Sequence, residues 1–346
     1  MSARVTEGWS LRGNPALILE NAALRVTVLP ELGGHVLDLV DKALDRNLLW
    51  ENPRTGPRRA PYGAHFDDWW SGGWDEIFPS GDRAKLHGEE LPYMGELWSV
   101  PWTAETGSAA GVEGGVEGGT EGGRAWIAAA GLATMAPARL ERTLELRGDE
   151  PVLRTRYRLT NLDVRPLPFL WGIHPSFSVT PAHRIDAPAG EMRVGVSSGP
   201  TMGAVGATYR WPAQADPLSA GGMRDVRRVL PASEAVFGGH WATDLEDGWL
   251  ALTDTAARRG IAIAFPVDVF PHAWLWQVYG GWRGHHHVCL EPWTGHPMQL
   301  EEAQAAGRAR VLQPGESLEA EVAFILFSGL DGVAAVERQA DGFLVR

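Results

Sequence analysis

The chain has a single cysteine, Cys289, in 346 residues. A lone thiol excludes internal disulfides and every structural zinc site built from several thiolates. Long apolar runs are missing too. None approaches the ~18 residues that a membrane-spanning helix needs, and 21% of the residues are charged. The opening segment, MSARVTEGWSLRGN, has no apolar stretch of the signal-peptide kind. The expectation is a cytoplasmic protein with no membrane partner. Positive charge is scarce, with 31 Lys and Arg against 43 Asp and Glu, a net charge of −12. Phosphate backbones are held by clustered Lys and Arg, so no nucleic-acid partner is expected. An acidic surface suits a soluble protein that handles a neutral ligand. Long helical periodicity, an interdomain linker and a repeat at solenoid spacing are all lacking.

What is present reads as strands. Gly (42) and Pro (24) are abundant, above the roughly 7% and 5% of average usage, as a frequently turning chain requires. In 21–40, Leu24, Val26 and Val28 alternate, PELGG turns, and His35, Leu37 and Leu39 alternate again. Residues 138–160 form a hairpin. Leu140, Arg142, Leu144 and Leu146 alternate with Glu141, Thr143, Glu145 and Arg147. After a turn at GDEP, Leu153, Thr155, Tyr157 and Leu159 alternate with Arg154, Arg156 and Arg158. The arginine row is expected to pair across the strands with Glu141 and Glu145 on a solvated face. Residues 318–327 form another strand, and the tail at 331–340 is read as a short helix. The glycine-rich repeat at 108–123 is read as a flexible hairpin tip. The sum is an all-β sandwich or barrel of antiparallel strands.

Three stretches carry chemistry. DDWWSGGWDEIFP (67–79) fits neither periodicity, and a loop this aromatic and acidic is expected to line something. In LWGIHPSF (170–177), Phe169, Trp171 and Ile173 share one face of a strand. Leu170, Gly172 and His174 share the other. Gly172 leaves space beside His174, and Pro175 is expected to end the ladder. In HHHVCLEPW (285–293), His285, His287, Cys289 and Glu291 share a face, with Pro292 following Glu291. His174 and Glu291 thus stand at strand ends stopped by proline, a parallel that pairs them as acid and base. His285 and His287 lie ~6.6–6.8 Å apart along the strand, a spacing that admits zinc. No H-E-x-x-H partner exists, so hydrogen bonding to a ligand, or orientation of Glu291, is the preferred reading and no metal is assigned.

The segments VLPELGG (28–34), GGWDEIFP (72–79), GELWSVPW (95–102), WGIHP (171–175) and LEP (290–292) occur in the order seen in the aldose 1-epimerase (galactose mutarotase) superfamily. The chain resembles that family over roughly residues 18–328. The resemblance implies a single-domain β-supersandwich across 1–346, with the loop at 108–123 and a tail at 329–346. It implies a small-molecule sugar as ligand, His174 as general acid and Glu291 as general base. Mutarotation opens a hemiacetal ring: a base takes the anomeric O1 proton while an acid protonates the ring oxygen. The carbonyl carbon rotates and recloses, and no cofactor is required. The acid is expected to keep its proton near neutral pH in a field supplied by Asp75, Glu76 and Glu291.

The chain departs from the family at Met94, where many members carry a sugar-contacting histidine, and at Trp98, where some sugar-phosphate epimerases carry arginine. His87 is the candidate substitute. Recognition is expected to shift toward stacking on Trp69, Trp70, Trp74 or Trp98. The expected sugar contacts are Trp74, Asp75, Glu76, His87, Trp98, Arg283, His285 and His287. The expected function is mutarotation of a neutral or unusual sugar. The alternatives are a non-catalytic carbohydrate-binding protein and another carbohydrate lyase or isomerase on the same scaffold.

Overall fold

Alternating apolar residues become strands along the chain, and its hairpins and meanders, such as those at 124–147, 138–161, 236–279 and 272–293, pair antiparallel. The structure, a computed structural model, describes residues 2–110, 123–217, 219, 221–340 and 342–346. The expected hairpin forms from Ala138–Arg147 and Val152–Asn161, with Ala138 opposite Asn161 and Glu145 opposite Arg154. The strands Thr103–Ala109 and Arg124–Ala133 pair with each other. Residues 111–122 of the glycine-rich repeat between them lie outside the described residues, and so does the reading of that tip.

The chain divides into two compact units, Met1–His174 with Thr294–Ala323, and Pro175–Trp293 with Phe324–Arg346. It passes from one to the other three times, which is why no linker marks the division. In the first unit one sheet runs in the order Arg4–Leu11, Asn14–Glu20, Leu24–Leu29, His35–Asp41, Trp74–Ile77. The other holds Thr103–Ala109, Arg124–Ala133, Ala138–Arg147 and Val152–Asn161. In the second unit one sheet runs His286–Trp293, His272–Tyr279, Val236–Ala242, Glu191–Ser197, Thr208–Arg210. The other holds His183–Asp186, Trp249–Asp254 and Arg259–Ala264.

Four expectations need correction. Pro175 and Pro292 do not stop their strands, which run on as Gly172–Ser178 and His286–Trp293, with Pro292 opposite Ala273. The proline ring fixes a φ that extended backbone tolerates, and only one donor is lost. The tail is no helix but a hairpin of Val336–Gln339 and Gly342–Val345. The arginine row is not wholly solvated, because Arg154 is buried and pairs with Glu150, while Arg142, in the leucine row, points into the core at 1% exposure. Glu145 is itself buried, its oxygens shared by Arg147 and Arg156. The α-helices among the described residues, Phe66–Trp69 and Leu300–Ala305, are too short to cross a membrane.

Arg142 ties the two sheets of the first unit together. Its Nη1 lies 3.1 Å from Glu76 Oε1, and its Nη2 donates to the Gly34 carbonyl. Its guanidinium sits 5.2 Å from the ring centroids of both Trp74 and Trp102. Tyr157 Oη donates to Glu76 Oε1 at 2.8 Å, and Trp171 Nε1 donates to Oε2 at 3.0 Å.

Candidate active site

In the first unit the sequence Ser71-Gly72-Gly73 bends the chain so that Trp70 and Asp75 reach one cleft. Gly73 has a φ of 73°, and a Cβ there would lie 2.5 Å from the Val36 carbonyl oxygen and 2.7 Å from the His35 ring. Only glycine combines that conformation with that approach. His35 and Asp75, both buried, meet at 2.7 Å between Nδ1 and Oδ1. Ser71 Oγ lies 3.3 Å from His35 Nε2. Leu32, Phe66, Trp69, Trp70, Trp98 and the exposed Arg58 and Arg59 also line it.

His174, 4% exposed, packs edge-on against two lining residues. Its ring centroid is 5.7 Å from that of Phe66 and 5.3 Å from that of Trp70. Burial pushes its pKa down to about 4, against the opposing pull of the Asp75 charge. The expectation of an imidazolium at neutral pH is therefore corrected. Desolvation penalises the charged ring more than one carboxylate repays, so the imidazole is neutral.

The GELW segment is held by its glutamate. Glu96 is fully buried and accepts the backbone N–H groups of Thr134, Met135 and Ala136 at 2.8–2.9 Å, with the Tyr62 hydroxyl at 2.8 Å. That clamp positions Trp98, whose Nε1 donates to the Gly95 carbonyl at 3.1 Å and whose ring meets Phe66 edge-on at 5.0 Å.

Several expected contacts of this unit lie elsewhere. Trp74 is fully buried beneath Arg142. Glu76 is fully buried with both oxygens given to protein donors, and burial raises its pKa against the opposing charge of Arg142. It is a core acceptor, and its field is directed at Arg142. His87 stands on the exposed turn between Ala84–Leu86 and Glu89–Leu91 and is not among the cleft residues. Met94 is buried and likewise outside the lining. Asp75 and Trp98 do line the cleft. His35, Phe66 and the two arginines were not singled out from the sequence. In the sequence His35 is only one member of an alternating strand, and its carboxylate partner is forty residues away.

In the second unit the strand His286–Trp293 carries Glu291, 1% exposed, whose Oε2 accepts Trp293 Nε1 at 3.0 Å. Burial raises its pKa well above the ordinary value, and the Trp293 hydrogen bond only partly offsets this. Burial, with the Glu291 charge adding to it, pushes the Cys289 thiol upward as well, so this cysteine is not a thiolate nucleophile. Cys289 Sγ is 3.8 Å from His287 Nδ1. His285 and His287 are both buried, with ring centroids 6.2 Å apart. Arg283 is exposed, its guanidinium 5.2 Å above Trp282.

No protein-family model matches this sequence, and no curated protein matches it significantly. Solved structures do match. A candidate aldose 1-epimerase of Klebsiella pneumoniae superposes with a TM-score of 0.67 at 15% identity, over 94% of this chain and 83% of that one. The Slr1438 protein of Synechocystis does so with a TM-score of 0.62 at 18% identity, over 93% and 100%. A galactose mutarotase-like protein of Clostridium acetobutylicum gives 0.61 at 12% identity, over 95% and 99%. Antiparallel strands in this order, matched over nearly the whole chain, make this a protein of the galactose mutarotase-like fold.

Proposed function

We propose that this protein is a mutarotase, interconverting the anomers of a sugar at its free aldehyde-bearing end. Glu291 takes the proton from the anomeric hydroxyl, and His174 serves the ring oxygen. The observation that supports this most is the state of His174, a buried imidazole kept uncharged beside an aromatic cleft that also holds the His35–Asp75 pair. A neutral imidazole still has an N–H to donate, and a buried donor polarises a ring oxygen strongly because no water competes. The setting of Glu291 suits the partner role, since a carboxylate whose pKa is raised by burial is a stronger base once ionised. Ring opening then needs one proton removed and one hydrogen bond tightened into a proton transfer, and reclosure returns both groups to their starting state.

The test is saturation-transfer NMR on a panel of free aldoses. Wild-type protein is expected to speed α/β exchange, and Glu291→Gln and His174→Asn are each expected to abolish it. Saturable binding with no faster exchange for any sugar would replace this reading with a carbohydrate-binding role.

A further inference from the structure

The second unit carries aromatic side chains that mutarotation of one sugar ring does not use. In antiparallel pairs, residues directly opposite share a face. Trp274 is opposite Glu291, Trp276 opposite Cys289 and Val278 opposite His287. On the next strand Trp241 is opposite Trp274, Gly239 opposite Trp276 and Phe237 opposite Val278. One face therefore holds Glu291, Trp274 and Trp241 in a row, with Trp276 and Phe237 beside them. The Trp274 indole lies across two glycines. A Cβ on Gly195 would be 2.8 Å from it, and one on Gly239 would collide outright. Trp241 and Trp274 are 4.9 Å apart and nearly buried.

Further along, the rings open to solvent. Phe237, Trp276 and Trp282 are each only half-buried. Their centroids are spaced 5.6 Å and 6.1 Å apart with planes inclined by 59° and 78°, and Trp282 continues to His285 at 5.4 Å, so the rings present separate, differently turned faces to a chain of sugar rings that itself twists. A row of half-buried rings is not a core, and it extends beyond the footprint of one pyranose. Aromatic faces of this kind match the C–H faces of sugars, while the imidazole and guanidinium beside them match sugar hydroxyls.

We propose that Phe237, Trp276 and Trp282 form a stacking platform for further sugar rings, so that the ligand is a reducing oligosaccharide rather than a free monosaccharide. This rests on the mutarotase reading for the ring at Glu291, and it extends that reading to the substrate class.

The experiment titrates full-length protein with glucose, galactose, maltotriose, cellotriose and β-1,4-galactotriose, following intrinsic tryptophan fluorescence. Anomer exchange is followed by NMR in parallel samples. At least one trisaccharide is expected to bind about tenfold tighter than its monosaccharide, the scale of one added stacked ring. Trp282→Ala and Trp276→Ala are each expected to remove most of that preference, and Trp282→Phe to restore part of it, which damaged folding would not do. Equal binding of every trisaccharide and its monosaccharide, or a preference that survives Trp282→Ala, overturns the platform. Trisaccharide preference without faster exchange keeps the platform and removes the mutarotase reading. Faster exchange of monosaccharides without trisaccharide preference does the reverse.

Discussion

Replacing Arg142 with methionine is the sharpest test of how the first unit is held together. The side chain is 1% exposed and its partner Glu76 is fully buried. Removing one member of a buried ion pair costs about 3–5 kcal/mol, because the other charge is stranded. The Gly34 carbonyl loses its donor as well, a further ~1–3 kcal/mol for a buried acceptor. Two effects act the other way. The Glu76 pKa is already raised by burial, so the carboxyl can take up a proton, and Met fills most of the vacated volume. A net loss of about 4 kcal/mol follows. Urea unfolding followed by tryptophan fluorescence measures it. A cycle with Glu76→Gln isolates the pair, with an expected coupling of ~2 kcal/mol or more between such neighbours. A loss below ~1 kcal/mol, or no coupling, would refute the argument. So would a Glu76→Gln protein of unchanged stability that no longer binds sugar, since Glu76 would then belong to the ligand.

The remaining predictions concern protons and packing. The exchange rate of the wild type is expected to rise with pH through a midpoint above the ordinary carboxylate value, because Glu291 must lose a proton that burial helps it keep. A midpoint at or below the ordinary value would exclude Glu291 as the base. Two buried histidines, His174 and His240, have pKa values pushed down to about 4 from 6.5. Each therefore favours folding above pH 6.5 and loses that contribution as pH falls toward 4, about 3 kcal/mol apiece. The stability advantage of the wild type over His174→Asn should shrink by that amount between pH 7 and pH 4, as read by chemical denaturation. Gly73→Ala, which forces a methyl against the Val36 carbonyl at a φ of 73°, should destabilise by roughly 2 kcal/mol or more in the same assay. Glu96→Ala strands three backbone donors and should cost about 3 kcal/mol or more by the same readout.

The sequence alone determined the all-β class, because period-two alternation is local: Leu24–Leu29, His35–Asp41, Ala138–Arg147 and Val152–Asn161 each announce a strand without reference to anything distant. It also singled out His174 and Glu291, titratable groups inside apolar strands, which local polarity makes conspicuous. Tertiary structure alone decided what each polar side chain meets. Arg142 and Glu76, sixty-six residues apart, are a core ion pair, so the acidic motif around Trp74 is half cleft and half core. His35 finds Asp75 across forty residues, and Glu96 finds the turn at 134–136. The two units were invisible because the chain weaves between them. The charge state of His174 is illegible in the sequence for the same physical reason. A motif shows which carboxylates are near in sequence, whereas a pKa answers to burial, and burial is a property of the packed whole.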